Sequence, residues 1–106
     1  MHDLLRVDVS DLEGTIVLAV HGEIDAASAP VLESAFVSLD GASPVLVDMA
    51  GVSFMDSSGL HTLLTQTLRI RESDGSIHIC NPSDAVHRVV ELTGLGEFFY
   101  EPDSAA

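Results

Sequence analysis

The sequence predicts a single α/β domain that contains a parallel β-α-β unit. Two observations point there: segments of strand and helix character alternate along the chain, and residues 44–80 hold a strand, a helix and a strand of the length a parallel crossover needs. Size agrees, because 106 residues with 46% hydrophobic content fill one core and leave no material for a second. The expectation is one domain over residues 1–106, with a short flexible tail from about residue 102, where the chain reads Glu-Pro-Asp-Ser-Ala-Ala.

The elements follow in order. Leu4 to Val9 is a weak strand, and Thr15 to His21 (Thr-Ile-Val-Leu-Ala-Val-His) a β-branched one; Asp11 to Gly14 turns between them, which predicts an N-terminal hairpin. Gly22 bounds the β-branched strand, and Gly22-Glu23-Ile24-Asp25 follows it. From about Ser28 to Leu39, Leu32, Ala35, Phe36 and Leu39 share a helical face, Pro30 fits the first turn, and Gly41 marks the end. Pro44 to Asp48 is a short apolar strand, followed by a loop from Met49 to Asp56. Ser57 to about Glu72 is a second helix whose broad apolar face carries Leu60, Leu63, Leu64, Leu68 and Ile70.

Asp74-Gly75 turns the chain into an alternating strand, Ser76 to Cys80. Asn81-Pro82-Ser83-Asp84 then supplies a cap, a first-turn proline and an acidic residue for a third helix to about Leu92, with Gly94 as its stop. Phe98 to Tyr100 reads either as a final edge strand or as a packed C-terminal turn. The parallel unit is expected to be right-handed, with its helix across one sheet face. In such sheets the functional crevice lies beyond the carboxyl ends of the strands, which here is the loop Met49 to Asp56 leading into Ser57.

Charge narrows the partners. Seventeen acidic residues face four arginines, with no lysine, for a net charge of −13. That repels nucleic acid backbones and anionic membrane surfaces and favours a protein with a basic docking surface. The single Cys80 allows no internal disulfide, and its alternating strand context reads as core filling in a reducing cytoplasm. No basic region followed by an apolar stretch opens the chain, and no apolar run approaches about 18 residues, so neither export nor membrane spanning is expected.

The segment with chemical content is Val52-Ser53-Phe54-Met55-Asp56-Ser57-Ser58-Gly59-Leu60, whose polar centre opens a helix with unpaired N–H groups. Asp56 or Ser57 can cap them, and Gly59 can serve close packing, so a purely structural reading exists. These nine residues nevertheless resemble, without a gap, the signature of anti-sigma factor antagonists of the STAS (sulfate transporter and anti-sigma factor antagonist) domain family. Gly22-Glu23-Ile24-Asp25 sits where that family has a Gly-Glu-Leu/Ile-Asp turn, and the element order agrees along nearly the whole chain.

The resemblance implies a single STAS-type domain, with a mixed sheet of four or five strands and helices packed on it. It implies binding to a serine-kinase anti-sigma factor, which frees a sigma factor, and phosphorylation by that kinase, reversed by a serine phosphatase. By the same resemblance Ser57 is the phosphoacceptor, Asp56 serves recognition by the kinase, and Asp25 falls at a kinase contact. Ser58 is expected to cap or to touch the partner beside Gly59. Leu60 and Leu64 read as core residues, with an exposed leucine or Met55 as an alternative anchor for the partner.

Rival readings are weaker. A hydrolase lacks the Gly-x-Ser-x-Gly elbow, and His21, His61, His78 and His87 lack metal-ligand spacing, so neither catalytic residues nor a metal or other cofactor is expected. A nucleotide site lacks both lysine and a phosphate-cradling glycine loop. The alternative that keeps the fold is a scaffold subunit of a sensory assembly or a phosphatase-binding module.

Overall fold

The computed structural model of the protein describes residues 4–101. The expected tail from about residue 102 lies outside them. Four strands order as β1 (Arg6–Leu12), β2 (Thr15–Ile24), β3 (Val45–Met55) and β4 (Ile77–Cys80) across one mixed sheet. β1 and β2 are antiparallel, while β2, β3 and β4 run parallel. The helices are α1 (Ala29–Val37), α2 (Ser57–Glu72), α3 (Asp84–Thr93) and the single turn α4 (Gly96–Phe99).

The hairpin forms as expected but one step later. Leu12 pairs with Thr15, so Glu13-Gly14 alone makes the turn, with φ of 53° and 94°. Both central residues at positive φ match the right-handed twist of a two-residue hairpin, and Asp11 accepts the Gly14 N–H at 2.9 Å. β1 therefore spans Arg6–Leu12 and not Leu4 to Val9.

The larger correction is β3. The expected loop Met49 to Asp56 is strand through Met55, and β2 likewise continues through Gly22-Glu23-Ile24, the expected turn. The pairing slips twice, between Ala19 and His21 and between Gly22 and Glu23, so β3 carries extra residues around Ala50-Gly51 and Ser53. Bulges break the alternation by which a strand is recognised in sequence. Gly51 is needed at the first: a Cβ there would sit 2.3 Å from His21 Nδ1 and 3.0 Å from the Val20 carbonyl.

One sheet face is buried under the helices. Leu18, Val20 and Ile24 of β2, Val45, Val47 and Met49 of β3, and Ile77 and Ile79 of β4 pack against Leu32, Phe36, Leu63, Ile70, Val86, Val90 and Phe99. α1 ends at Val37, four residues before Gly41. α2 has the expected limits but a different inner face. Gly59, Thr62, Leu63, Gln66, Thr67 and Ile70 are buried at helical spacing, Leu60 and Leu64 are half-buried, and Leu68 is exposed. Polar side chains fit this stripe because the helix satisfies them: Thr62 donates to the Ser58 carbonyl and Gln66 accepts from Arg69.

At the C-terminus the aromatic run is the packed turn and not a full edge strand. α4 buries Phe99, and Tyr100 then makes one parallel bridge to Ile79. Cys80 is half-buried, on the side of β4 opposite Ile79, and not in the core; burial, then Asp48 and Glu101, push its thiol pKa up.

Candidate functional site

The two sequence segments that stood apart by some thirty residues meet at the carboxyl ends of β2 and β3. Ile24 pairs with Met55, and the Asp56 N–H donates to the Ile24 carbonyl at 3.2 Å. Asp25 and Asp56 thus leave the sheet side by side. The crevice expected beyond the strand ends is there, reached by a longer strand and a shorter loop.

Asp25 is held in a closed turn. Its N–H donates to Ser28 Oγ at 2.9 Å, its Oδ1 accepts the Ser28 N–H at 2.9 Å, and the Ser28 hydroxyl donates to the Glu23 carbonyl at 2.9 Å. Ser28 is therefore committed to the turn and gives α1 no side-chain cap. The carboxylate of Asp25 is half-buried and fixed beside the first turn of α1.

Asp56 caps α2. Its backbone is extended, with φ −109° and ψ −169°, and its Oδ1 accepts the Ser58 N–H at 2.8 Å. This resolves the choice between Asp56 and Ser57 as cap. Ser57 is the first residue of the helix and is exposed, and no hydrogen bond among the described residues engages its hydroxyl. Ser58 is half-buried; its N–H goes to Asp56 and its carbonyl to Thr62, while its own hydroxyl lines a groove.

Gly59 lies beneath the two serines and is buried. A Cβ at Gly59 would fall 2.6 Å from Met55 Cγ and 2.7 Å from Ile24 Cγ2, distances no side chain tolerates without displacement. The glycine lets the first turn of α2 settle directly on the strand ends, which sets the height of Ser57. Met55 is 4% exposed, so it belongs to the core and is not a bare anchor. The large apolar side chain left accessible nearby is its neighbour Phe54, at 46% exposure. Sequence reading passed over Phe54 because the bulge at Ser53 sets which way the following residues face.

Two grooves flank the start of α1. One, of about 420 Å³, runs between α1 and α2 and is lined by Ala26, Ala29, Pro30, Glu33, Ser57, Ser58, His61 and Thr62. The other, of about 480 Å³, lies on the far side and is lined by Leu4, Leu5, Glu23, Asp25, Ala27, Ser28 and Val31. Glu23, Asp25, Glu33 and Asp56 make this end of the molecule anionic, and His61 is its one ionisable base among the described residues. Among the described residues, no three His, Cys, Asp or Glu side chains gather as metal ligands, and no helix is long and apolar enough to cross a membrane.

Known proteins resemble this chain in sequence and fold. The sequence pattern described as STAS domain matches residues 6–105. The anti-sigma-B factor antagonist of Bacillus subtilis (strain 168) is 34% identical over 92 residues, which are 86% of this chain and 84% of that protein. An anti-sigma factor antagonist from Mycobacterium paratuberculosis superposes with a TM-score of 0.80 at 30% identity, covering 95% of this chain and 89% of the other. At fold level the anti-sigma factor antagonist SpoIIAA, in its unphosphorylated form, gives a TM-score of 0.74 at 22% identity over 94% of this chain and 92% of its own. The chain belongs to the STAS domain family, among the anti-sigma factor antagonists.

Proposed function

We propose that this protein docks on a serine-kinase anti-sigma factor in the cytoplasm, thereby freeing a sigma factor, and that phosphorylation of Ser57 by the kinase switches it off. The observation that carries the reading is the division of labour at the start of α2. Asp56 does the capping, so the Ser57 hydroxyl is exposed and uncommitted, one residue into a helix whose dipole favours added negative charge. Such a group can be modified without unfolding its own domain. That the fold accommodates a phosphoryl group is supported by SpoIIAA, whose phosphorylated form superposes with a TM-score of 0.67 at 23% identity.

In this reading the footprint comprises Asp25, Asp56, Ser57 and Ser58, with Gly59 acting from below by setting their height. Phe54 adds an apolar contact at the edge. The chain binds and does not catalyse. The kinase transfers the γ-phosphoryl of ATP to Ser57 Oγ, ADP leaves, and the hydroxyl proton passes to a base on the kinase. A serine phosphatase restores the hydroxyl by hydrolysis.

Release follows from charge. The modification adds close to two negative charges beside Asp56, inside an interface whose partner surface must already accommodate an anionic site. Moving a complex from mostly bound to mostly free needs a differential of about 3 to 5 kcal/mol, within the range of a desolvated like-charge clash near the centre of an interface.

The test is to incubate the wild type, Ser57→Ala and Ser58→Ala with candidate serine-kinase anti-sigma factors and ATP, and to follow intact mass. One phosphoryl addition, lost only in Ser57→Ala, is the expected result. A kinase that binds the wild type but never modifies it would move the scaffold or phosphatase-binding role ahead.

A further inference from the structure

Among the described residues, the groove that Ser57 lines holds one candidate counter-charge for a phosphoryl group there. Arg69 and Arg71 lie at the far end of α2, and at 1.5 Å rise per residue Arg69 is about 18 Å along the axis from Ser57. Arg69 is moreover committed to Gln66 and the Phe36 carbonyl, and Arg71 to the Ile77 carbonyl. Arg6 pairs with Asp8 on β1, and Arg88 is on α3. His61, by contrast, stands one helical turn after Ser57, at the i,i+4 position where side chains meet, and lines the same groove. It is exposed, and among the described residues no hydrogen bond or ion pair engages its ring.

We propose that His61 is the built-in receiver of the phosphoryl group on Ser57, folding it down along the groove between α1 and α2. The inference rests on Ser57 being the modified residue, and it adds an intramolecular contact and a pH dependence to the switch. Glu33 on α1 lines the same groove as the imidazole, and Asp56 stands at the N-cap immediately before Ser57, both carboxylates that repel a phosphate and attract a protonated ring. Among the described residues lining that groove, His61 is the one side chain that can bring a positive charge to the phosphate, and it does so only when protonated. The phosphate dianion and the imidazolium each stabilise the other's charged form, so His61 titrates at higher pH once Ser57 is modified, and the phosphoserine loses its second proton at lower pH.

The contact has a consequence for release. Below the His61 midpoint the imidazolium offsets one of the phosphate's two charges, and above it an unshielded dianion stands beside Asp56. Phosphorylation should therefore expel the partner more completely at alkaline than at mildly acidic pH.

The test avoids the kinase, so that it stands apart from the identity of the partner: phosphoserine is incorporated at position 57 during synthesis. Imidazole ring signals and the phosphorus resonance are then followed by NMR from pH 5 to 9, with and without the phosphoryl group. The expected result is an upward move of the His61 midpoint by roughly half a pH unit, with His78 and His87 unmoved. The phosphoserine midpoint should rise in His61→Gln and return in His61→Lys. An unmoved His61, an equal shift of all the histidines, or a phosphoserine midpoint indifferent to His61→Gln would overturn the proposal. Failure of every kinase to modify Ser57, with these shifts present, would count against the switch as a biological event and leave the contact standing.

Discussion

The two ends of α2 are built on opposite principles. At its C-terminal end, Arg69 Nη2 reaches across to the Phe36 carbonyl at 3.2 Å, while Arg71 Nη2 donates to the Ile77 carbonyl at 2.7 Å and its guanidinium stacks 4.8 Å over Phe98. Two of the four arginines in the chain are thus spent tying the helix to α1, β4 and α4, where they also complement the helix dipole. The N-terminal end has no such ties. It is held by shape, through Gly59 on the strand ends, and by one carboxylate, Asp56, leaving a bare hydroxyl. The end that locks the fold uses long cationic side chains, and the end that we propose meets the partner uses short ones.

The comparison is most exposed at Gly59. Gly59→Ala forces a methyl group against Ile24, whose β-branched side chain cannot swing aside, and against Met55. Overpacking of this kind costs about 1 to 3 kcal/mol, so the urea midpoint should fall by that equivalent, and kinase binding should weaken further because Ser57 and Ser58 are lifted off their seat. A variant of wild-type stability and wild-type affinity would mean that the height of the first turn is not set by packing.

At the other end, Arg71→Ala should cost roughly 2 kcal/mol by orphaning the Ile77 carbonyl and removing the guanidinium from Phe98, with partner affinity unchanged. It has a second signature. His78 titrates below the ordinary histidine value, through burial first and the positive charge of Arg71 second, against a smaller opposing pull from Glu101. A lowered folded value means that the unfolded chain binds the extra proton, so wild-type stability declines as pH falls through about 6.5. Arg71→Ala should move the His78 midpoint up and make that decline shallower, measurable by ring NMR and by urea unfolding at pH 5.5 and 8.

Much of the N-terminal end of α2 was legible in sequence because it is local. Asp56, Ser57, Ser58 and Gly59 follow one another, and a cap, a free hydroxyl and a close-packing glycine are properties of short segments. The limits of α2 were legible for the same reason. The C-terminal end was not, since Arg71 and Ile77, or Arg69 and Phe36, meet only after the sheet is assembled. Nor was the full length of β3, where two bulges interrupt the period, nor the inner face of α2, where Thr62, Gln66 and Thr67 replace the leucines that periodicity favours. Long-range satisfaction of polar groups hides a buried face, because the residues it uses read as surface.

The finest cut between structure and signalling is the pair Asp56→Ala and Ser57→Ala. Asp56→Ala removes the oxygen that accepts the Ser58 N–H and should cost about 1 kcal/mol of stability, the ordinary worth of an N-cap, besides any loss in kinase recognition. Ser57→Ala removes a hydroxyl that no described residue holds, at a first-turn position where alanine is the better helix former, so unfolding should shift by less than about 0.5 kcal/mol. Its effect should appear only in the mass spectrum, as the missing phosphoryl group, and in a complex with the kinase that persists in the presence of ATP. Chemical unfolding of the two variants side by side decides the matter. If Ser57→Ala destabilised the domain as much as Asp56→Ala, the hydroxyl would be part of the cap, and adding a phosphoryl group there would disturb the fold instead of only its outer face.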